Sequence, residues 1–208
     1  MLINNSCEGF TRLLASTDAV PGGGGAAALC GALGASLCSM AAGLTAGKKK
    51  FAEHRSELEN IIAKCGELRK AFLRLVDGDA EGFAPLAEAY SLPKDTPGHV
   101  EKIREATLTA MSAPYDMMCC CCRTVDLIEE LCDGKCSALL ISDAGCAAAL
   151  CRAALQCAAM NVFVNTKMLR GDAQSDALEA KAKAMLEEYL PRAEKLADGI
   201  IRKLSEVE

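Results

Sequence analysis

Tryptophan is absent from this 208-residue chain, aromatic residues make up only 4% of it, and runs of β-branched residues are missing. A sheet of any size draws on aromatic and β-branched residues, so these absences argue against one. Alanine, leucine, glutamate and lysine dominate instead, and all four are strong helix formers. No low-complexity linker divides the chain. We therefore expect a single all-α domain over residues 1–208, built as an up-and-down bundle of long antiparallel helices.

Histidine is scarce as well, since only His54 and His99 are present and each stands alone among polar residues. A histidine-based zinc site is therefore not expected. The 13 cysteines fall within helical patterns, and the first ten residues lack the basic and apolar regions of a signal peptide. We expect free thiols in a cytoplasmic protein. The run Cys119–Cys122 contains a C-x-x-C spacing, but consecutive helical residues point in four directions, so packing is favoured and no metal is expected.

A broad basic patch is missing too, and the formal net charge is −5, which argues against nucleic acid as a partner. An uncharged stretch after Pro21 is long enough to span a membrane. Its alanines and glycines supply little transfer free energy, however, and a lone span would be odd in an otherwise amphipathic chain. We expect no membrane.

That stretch, Pro21–Phe51, is the most distinctive part of the chain. It reads PGGGGAAALCGALGASLCSMAAGLTAGKKKF and predicts a helix that ends near Gly47, before three lysines. Small residues recur at helical spacing, which lets another backbone or a flat ligand approach closely. The glycine N–H groups at the helix start suit an anionic or carbonyl-bearing ligand, although neither nucleotide-binding signature is present. A tightly packed core helix without a ligand is the alternative.

The next segment shows the clearest helical periodicity, with apolar residues from Leu58 to Tyr90 at alternating spacings of three and four. Asp79 falls on this apolar stripe, seven residues from both Phe72 and Leu86, if the helix continues through Gly78. A carboxylate on a buried face is costly unless it is paired, and such groups often serve in proton transfer. Asp79 is therefore a catalytic candidate, and a structural core acid is the alternative. Asp77 projects about 160° away and is expected to be solvated.

Three further polar positions stand out later in the chain. Lys94 lies in the loop that follows the long helix. Asp143 begins the next apolar segment, where it either caps the helix or binds a ligand. Asn161 and Asn165 lie four apart on a largely apolar face, so their amides need partners on other helices or on a ligand.

Three separated blocks carry a resemblance to a known family. They are the Pro21–Phe51 run, Val76–Thr96 with its D-x-D-A-x-x-F and L-P-K-x-T patterns, and Gly134–Met168. Together they resemble the formiminotetrahydrofolate cyclodeaminase and methenyltetrahydrofolate cyclohydrolase family. Gly25 stands where the family usually has serine, and Lys135 departs from the usual Gly-Asn.

The resemblance implies chemistry at the carbon that bridges N5 and N10 of tetrahydrofolate. It marks Asp79, the second acid of its pattern, as catalytic. It also implies that Gly22, Gly23 and Gly24, together with Asn161 or Asn165, contact the substrate. Asp143 is a further substrate-binding candidate. The glutamate tail would meet Lys48, Lys49 and Lys50, or Lys94. The implied assembly is a homodimer.

Two reactions fit the resemblance. A cyclodeaminase releases ammonia from 5-formiminotetrahydrofolate to give 5,10-methenyltetrahydrofolate, and a cyclohydrolase opens that product with water. We favour the cyclodeaminase slightly, with a separate formiminotransferase as a partner that supplies its substrate. Neither reaction implies a cofactor beyond the tetrahydrofolate substrate itself. A non-catalytic helical module that oligomerises or docks a partner remains the alternative from a different class.

Overall fold

The computed structural model describes residues 1–206, and within them the chain is helical with no β-strand. The prediction of an all-α bundle is confirmed. Short 3-10 turns at residues 2–4, 49–54, 138–140 and 167–169 accompany the longer elements. Within residues 1–206 there are six α-helices: α1 (Cys7–Leu14), α2 (Gly23–Ala46), α3 (Arg55–Ser91), α4 (His99–Cys132), α5 (Ile141–Thr166) and α6 (Ala173–Ser205).

Four long helices form the bundle. Around it, α2 packs on α3, α3 on α4, α4 on α5, and α5 back on α2, while α6 covers the side formed by α4 and α5. Short connections make successive helices antiparallel, so the start of α2, the end of α3, the start of α4 and the end of α5 meet at one end. This end is called the glycine end below, and the opposite one is called the lysine end.

The long helix α3 is continuous through Gly78, as the periodicity requires. It ends at Ser91 because Pro93 disfavours helical geometry in the residue before it. The apolar residues Leu58, Ile61, Phe72 and Val76 on its stripe are fully buried. The phase that places Asp79 toward the neighbouring helices is therefore confirmed.

Two glycines of α2 explain why this helix is rich in small residues. A Cβ atom at Gly31 would overlap the ring of Phe72 on α3. At Gly34 it would lie 2.6 Å from the Cys151 sulfur and 3.2 Å from the Ala147 carbonyl oxygen, both on α5. Small residues here permit close approach to two neighbouring helices, so at these positions the packing interpretation is sufficient.

The prediction that Asp77 is solvated is wrong, since only 8% of the residue is exposed. The first residues of the chain fold over it, and the backbone N–H of Leu2 donates to its Oδ1 atom. Its other oxygen, Oδ2, is buried with no partner within residues 1–206. Helical phase placed Asp77 correctly on the side opposite Asp79, but it could not show that the N-terminal segment covers that side.

The cysteine run packs in the bundle. Cys120, Cys121 and Cys122 are buried and Cys119 is partly buried. Burial raises the pKa of the Cys120 thiol to about 11 and that of Cys122 to about 12, which keeps both thiols protonated and poorly reactive at neutral pH. No group of three or more His, Cys, Asp or Glu side chains within residues 1–206 is arranged to hold a metal ion.

Candidate functional site

Asp79 lines a small pocket at the glycine end of the bundle, with a volume of about 190 Å³. Four helices supply its walls: the first turn of α2, the last two turns of α5 and interior positions of α3 and α4. Of the residues predicted from the sequence, the structure brings five to this pocket: Gly22, Gly23, Asp79, Asn161 and Asn165. Ala19, Val20, Phe83, Ala110, Pro114 and Val164 complete the lining.

The carboxylate of Asp79 lies directly against the first turn of α2. A Cβ atom at Gly24 would overlap the carboxyl group, so a glycine is required there by this close approach. The nearby backbone N–H of Gly25 lowers the pKa of the carboxylate. Burial has the larger effect and raises the pKa of Asp79 above its ordinary value of 3.8. The geometry provides a carboxylate whose protonated form is easier to reach than in water, as proton transfer requires.

Gly25, where the related family usually carries serine, has room for a side chain. A Cβ atom there would lie 3.4 Å from the Cβ of Pro21 and 3.7 Å from the Val76 carbonyl oxygen. A serine at this position would therefore cause no steric conflict at its Cβ atom. The backbone N–H that contacts Asp79 is available with either residue.

The two asparagines use their amide N–H groups within α5. Asn161 Nδ2 donates to the Cys157 carbonyl at 2.8 Å, and Asn165 Nδ2 donates to the Asn161 carbonyl at 2.9 Å. Partners on other helices or on a ligand were predicted; these two bonds lie within α5, and a ligand as the partner of the remaining amide atoms stays a prediction. Asn161 nevertheless lies beside Gly23, whose Cβ position is 3.4 Å from its Nδ2. Their amide groups remain the polar lining of the pocket opposite Asp79.

Lys94 lies on a different and larger cavity of about 720 Å³ at the same end of the bundle. Arg104, which lines this cavity, is paired with Asp172 at 2.7 Å. The Nδ1 atom of His99, also in the lining, is buried and lacks a hydrogen-bond partner within residues 1–206. The cavity begins one helical turn beyond Asn165, at Met168. Its size alone does not make it the reaction site, because among the described residues that line it the one acid is Asp172, which is already paired.

Lys48, Lys49 and Asp143 are not brought to the Asp79 pocket. Lys48 follows α2, whose 24 residues separate the two ends of the bundle by about 36 Å. Its ammonium group donates to the Ser137 hydroxyl at 2.6 Å. Asp143 lies in the first turn of α5, also at the lysine end. The glycines and the lysines belong to one sequence motif, which suggested that they share one site. The straight helix α2 lies between them, however, and keeps them apart within one chain.

Several lining residues were not identified as functional from the sequence. Phe83 belongs to the apolar stripe of α3, and Pro114 lies inside α4. Arg170 and His99 line the larger cavity but belong to no pattern that distinguishes them from surface residues. Only the packing of the helices against one another shows that these residues are neighbours.

Comparisons with known proteins agree with this geometry. The family model described as formiminotransferase-cyclodeaminase matches residues 6–184. A methenyltetrahydrofolate cyclohydrolase from Methylorubrum extorquens is 41% identical over 172 residues, covering 80% of this chain and 81% of the relative. The formimidoyltransferase-cyclodeaminase of Mus musculus is 30% identical over 197 residues, which cover 92% of this chain but only 36% of the relative.

A solved structure shows the same architecture. The crystal structure of formiminotetrahydrofolate cyclodeaminase from Thermotoga maritima superposes with a TM-score of 0.84 at 25% sequence identity. The match covers 97% of this chain and all of the other. Both the sequence match over most of the chain and the shared bundle lead to one conclusion: the chain belongs to the formiminotransferase-cyclodeaminase family.

Proposed function

We propose that this chain acts on the carbon that bridges N5 and N10 of tetrahydrofolate, with Asp79 as the proton-transfer group. The observation that carries the proposal is the position of the Asp79 carboxylate, held against the first turn of α2 in a pocket that also contains two amides. Burial of this acid has an energetic cost, which a role in the reaction explains.

In the cyclohydrolase reaction, water attacks the bridging carbon of 5,10-methenyltetrahydrofolate and Asp79 accepts a proton from that water. The carbon–N5 bond then breaks as Asp79 returns a proton to N5, and the hydroxyl proton is released, which leaves a formyl group on N10. In the cyclodeaminase reaction, N10 attacks the formimino carbon. Asp79 carries the N10 proton to the amino group, which departs as ammonia. One carboxylate therefore serves both reactions.

The identity of 41% with a cyclohydrolase over 80% of this chain favours the cyclohydrolase reaction. The close superposition on a cyclodeaminase supports the other reaction as a second candidate. Two assays separate them: loss of the methenyl chromophore in water, and ammonia release from 5-formiminotetrahydrofolate. The faster of the two, measured at saturating folate, identifies the reaction. A chain that binds no reduced folate would instead be a non-catalytic helical module.

The rate should depend on pH because Asp79 accepts a proton as its first step. Ionised Asp79 is required, and its pKa is raised, so kcat should fall as pH decreases through a value above 3.8. The pH profile of kcat, corrected for spontaneous hydrolysis of the substrate, tests this expectation. An acid limb centred at or below 3.8 would contradict the assignment, as would the same limb in an Asp79→Asn variant.

We propose the cofactor requirement, the location and the partners of the enzyme on the same basis. Neither reaction changes an oxidation state, so we propose no cofactor beyond the folate substrate. A cytoplasmic location agrees with the free thiols. The cyclodeaminase reaction would need a formiminotransferase to supply its substrate. We propose that Lys94, which lines the larger cavity, contacts a folate carboxylate. We also propose that the chain self-associates as a homodimer through exposed apolar residues of α2 such as Leu33 and Leu44.

A further inference from the structure

The Asp79 pocket is too small to hold a whole folate. Its volume of about 190 Å³ lies below the ~300–1,000 Å³ of typical small-molecule sites, whereas the larger cavity, at about 720 Å³, lies within that range. A folate whose one-carbon bridge lies at Asp79 must therefore extend beyond the pocket. The larger cavity has enough volume for the remainder of the molecule.

The larger cavity lies on the same helix faces as the Asp79 pocket. On α3, Phe83 lines the smaller pocket and Tyr90, seven residues later, lines the larger cavity. On α4 the corresponding pair is Ala110 and Ile103, also seven residues apart. Seven residues are almost two full turns, so the members of each pair share one face and lie about 10 Å apart along their helix. The two cavities are therefore successive positions along the same two helices.

Helix α2 does not cover the stretch between the two cavities. Gly24, in the first turn of α2, lies against Asp79, whereas α3 continues for about 18 Å beyond Asp79 to its end at Ser91. Val164, which lines the Asp79 pocket from α5, is 59% exposed. The pocket is therefore open on one side, and a bound molecule that is longer than the pocket has room to extend along α3.

The larger cavity presents an apolar surface. Tyr90, Val100 and Met168 in its lining are 48–81% exposed, and Leu92 and Ile103 are partly buried beside them. Exposed apolar residues that gather in one concave place are typical of ligand-binding grooves. This lining therefore suits the apolar part of a ligand.

Two cations of the same cavity are free to bind an anion. Within residues 1–206, neither Lys94 nor Arg170 has a carboxylate within 4 Å. Asp172, the acid among the described lining residues, is held by Arg104. Two free cations beside an apolar surface suit a ligand that combines an apolar body with more than one negative charge.

His99 supplies a polar atom that still needs a partner. Its Nδ1 atom is buried in the lining and has no hydrogen-bond partner among the described residues. An unpaired buried polar atom destabilises the free protein. An imidazole nitrogen donates or accepts according to the tautomer, so either an amide or a carboxylate of a ligand can pair with it.

The p-aminobenzoylglutamate tail of a folate has the chemistry that this cavity selects. Its benzoyl ring is flat and apolar, its amide is polar, and its glutamate carries two carboxylates. From N10 to the far carboxylate the tail spans on the order of 12 Å by ordinary bond lengths, close to the ~10 Å that separates Phe83 from Tyr90. A folate with N10 near Asp79 therefore brings its glutamate to the larger cavity.

We propose that the larger cavity binds the p-aminobenzoylglutamate tail of the substrate, within the same chain that supplies Asp79. Lys94 and Arg170 pair with the two carboxylates, and His99 Nδ1 pairs with the amide, while the benzoyl ring lies beside Tyr90. The identity of the ligand rests on the proposed function. These residues contact the tail and not the reacting bridge, so they determine affinity and specificity and take no part in the proton transfer.

A substrate without the glutamate tests the assignment. 5,10-Methenyltetrahydropteroate keeps the pterin, the bridge and the ring, so wild-type kcat/KM for the folate should exceed that for the pteroate on the order of tenfold or more. Lys94→Ala/Arg170→Ala should lose this preference through a higher KM for the folate, and its kcat/KM for the pteroate should stay close to the wild-type value. Equal losses on both substrates, or no loss on the folate, would overturn the proposal.

A matched control removes one arginine and one lysine elsewhere on the surface. Arg69 and Lys70 are exposed on α3 and line neither cavity. Arg69→Ala/Lys70→Ala should keep the wild-type preference for the folate. If this variant loses the preference to the same extent, a general charge effect accounts for the result and the proposal is refuted.

His99 is tested by two substitutions and by the affinity for free p-aminobenzoylglutamate, measured by titration calorimetry. His99→Leu removes the unpaired nitrogen, so Tm should not fall, whereas the affinity should fall on the order of tenfold. His99→Asn can place an amide atom near the position of Nδ1 and should keep most of the affinity. A lower Tm with unchanged affinity in His99→Leu would show that Nδ1 has a structural role and that the assignment is wrong.

Free p-aminobenzoylglutamate contains neither the pterin nor the bridge, so its binding separates this proposal from the proposed function. If the wild type turns over no folate but binds the probe through Lys94 and Arg170, the cavity assignment stands and the proposed function fails. If the wild type turns over methenyltetrahydrofolate but does not bind the probe at millimolar concentration, and Lys94→Ala/Arg170→Ala keeps its kcat/KM, the cavity assignment fails and the proposed function stands.

Discussion

Asp79→Asn is expected to reduce turnover on the order of 10²-fold or more, while the folded protein still binds folate. The amide keeps the shape of the side chain and can still accept the Gly25 N–H, but it cannot carry a proton. The raised pKa means that the folded state binds this proton more tightly than the unfolded chain. Ionisation of Asp79 therefore costs stability as pH rises through its pKa. The variant should be at least as stable as the wild type at neutral pH.

Asp77→Asn provides the comparison for this result. Asp77 is buried on the other side of α3 and holds the backbone of Leu2, so its replacement should affect thermal stability rather than kcat. Steady-state kinetics, calorimetric melting and folate titration on both variants separate the two roles. Near-normal kcat for Asp79→Asn, in protein shown to be folded, would end the catalytic assignment.

Gly24→Ala is expected to lower kcat on the order of 10²-fold without unfolding the bundle. The new methyl group would occupy the space of the Asp79 carboxyl group, so that side chain must move. A misplacement of about 1 Å in a catalytic group is enough for a loss of this size. Because the methyl group acts on a partly exposed side chain at the end of the bundle, the core should be little affected. The kinetics should resemble those of Asp79→Asn. Folate affinity should fall only if the displaced carboxylate blocks the pocket.

Gly78→Ala is the matched control, since it makes the same substitution one residue from Asp79. A Cβ atom at Gly78 meets nothing within 4 Å, and alanine is favoured over glycine within a helix by up to about 1 kcal/mol. This variant should be as active as the wild type and equally or more stable. Equal losses of kcat in Gly24→Ala and Gly78→Ala would show that helix rigidity, rather than displacement of Asp79, controls the rate.

The fold was predictable from the sequence because helical periodicity and the positions of glycine and proline act locally. The helical phase of α3 identified Asp79 from its spacing to Phe72 and Leu86. That phase is kept because the helix continues through Gly78. The small residues of α2 predicted a close approach, which the structure assigns to Phe72 and Cys151. These inferences need only the geometry of one helix.

The predictions from the sequence were wrong where the surroundings of a residue depend on the three-dimensional arrangement of the chain. Asp77 is buried by the first residues of the chain, which no local pattern reveals. Asn161 and Asn165 each donate one amide N–H to their own helix, whereas partners on another helix or on a ligand were predicted. The lysines after α2 share a motif with the glycines before it, yet a helix about 36 Å long separates them.

A crystal structure with a non-reacting reduced folate bound tests the central claim most directly. The account predicts that the folate lies in the pocket lined by Gly22, Gly23 and Asn161, with its N5–N10 edge beside the Asp79 carboxylate. The edge should be within hydrogen-bond reach of that carboxylate, roughly 2.6–3.2 Å, either directly or through one water. A pterin ring seated instead in the larger cavity beside Tyr90 and His99, with Asp79 free of any contact to the ligand, would contradict it.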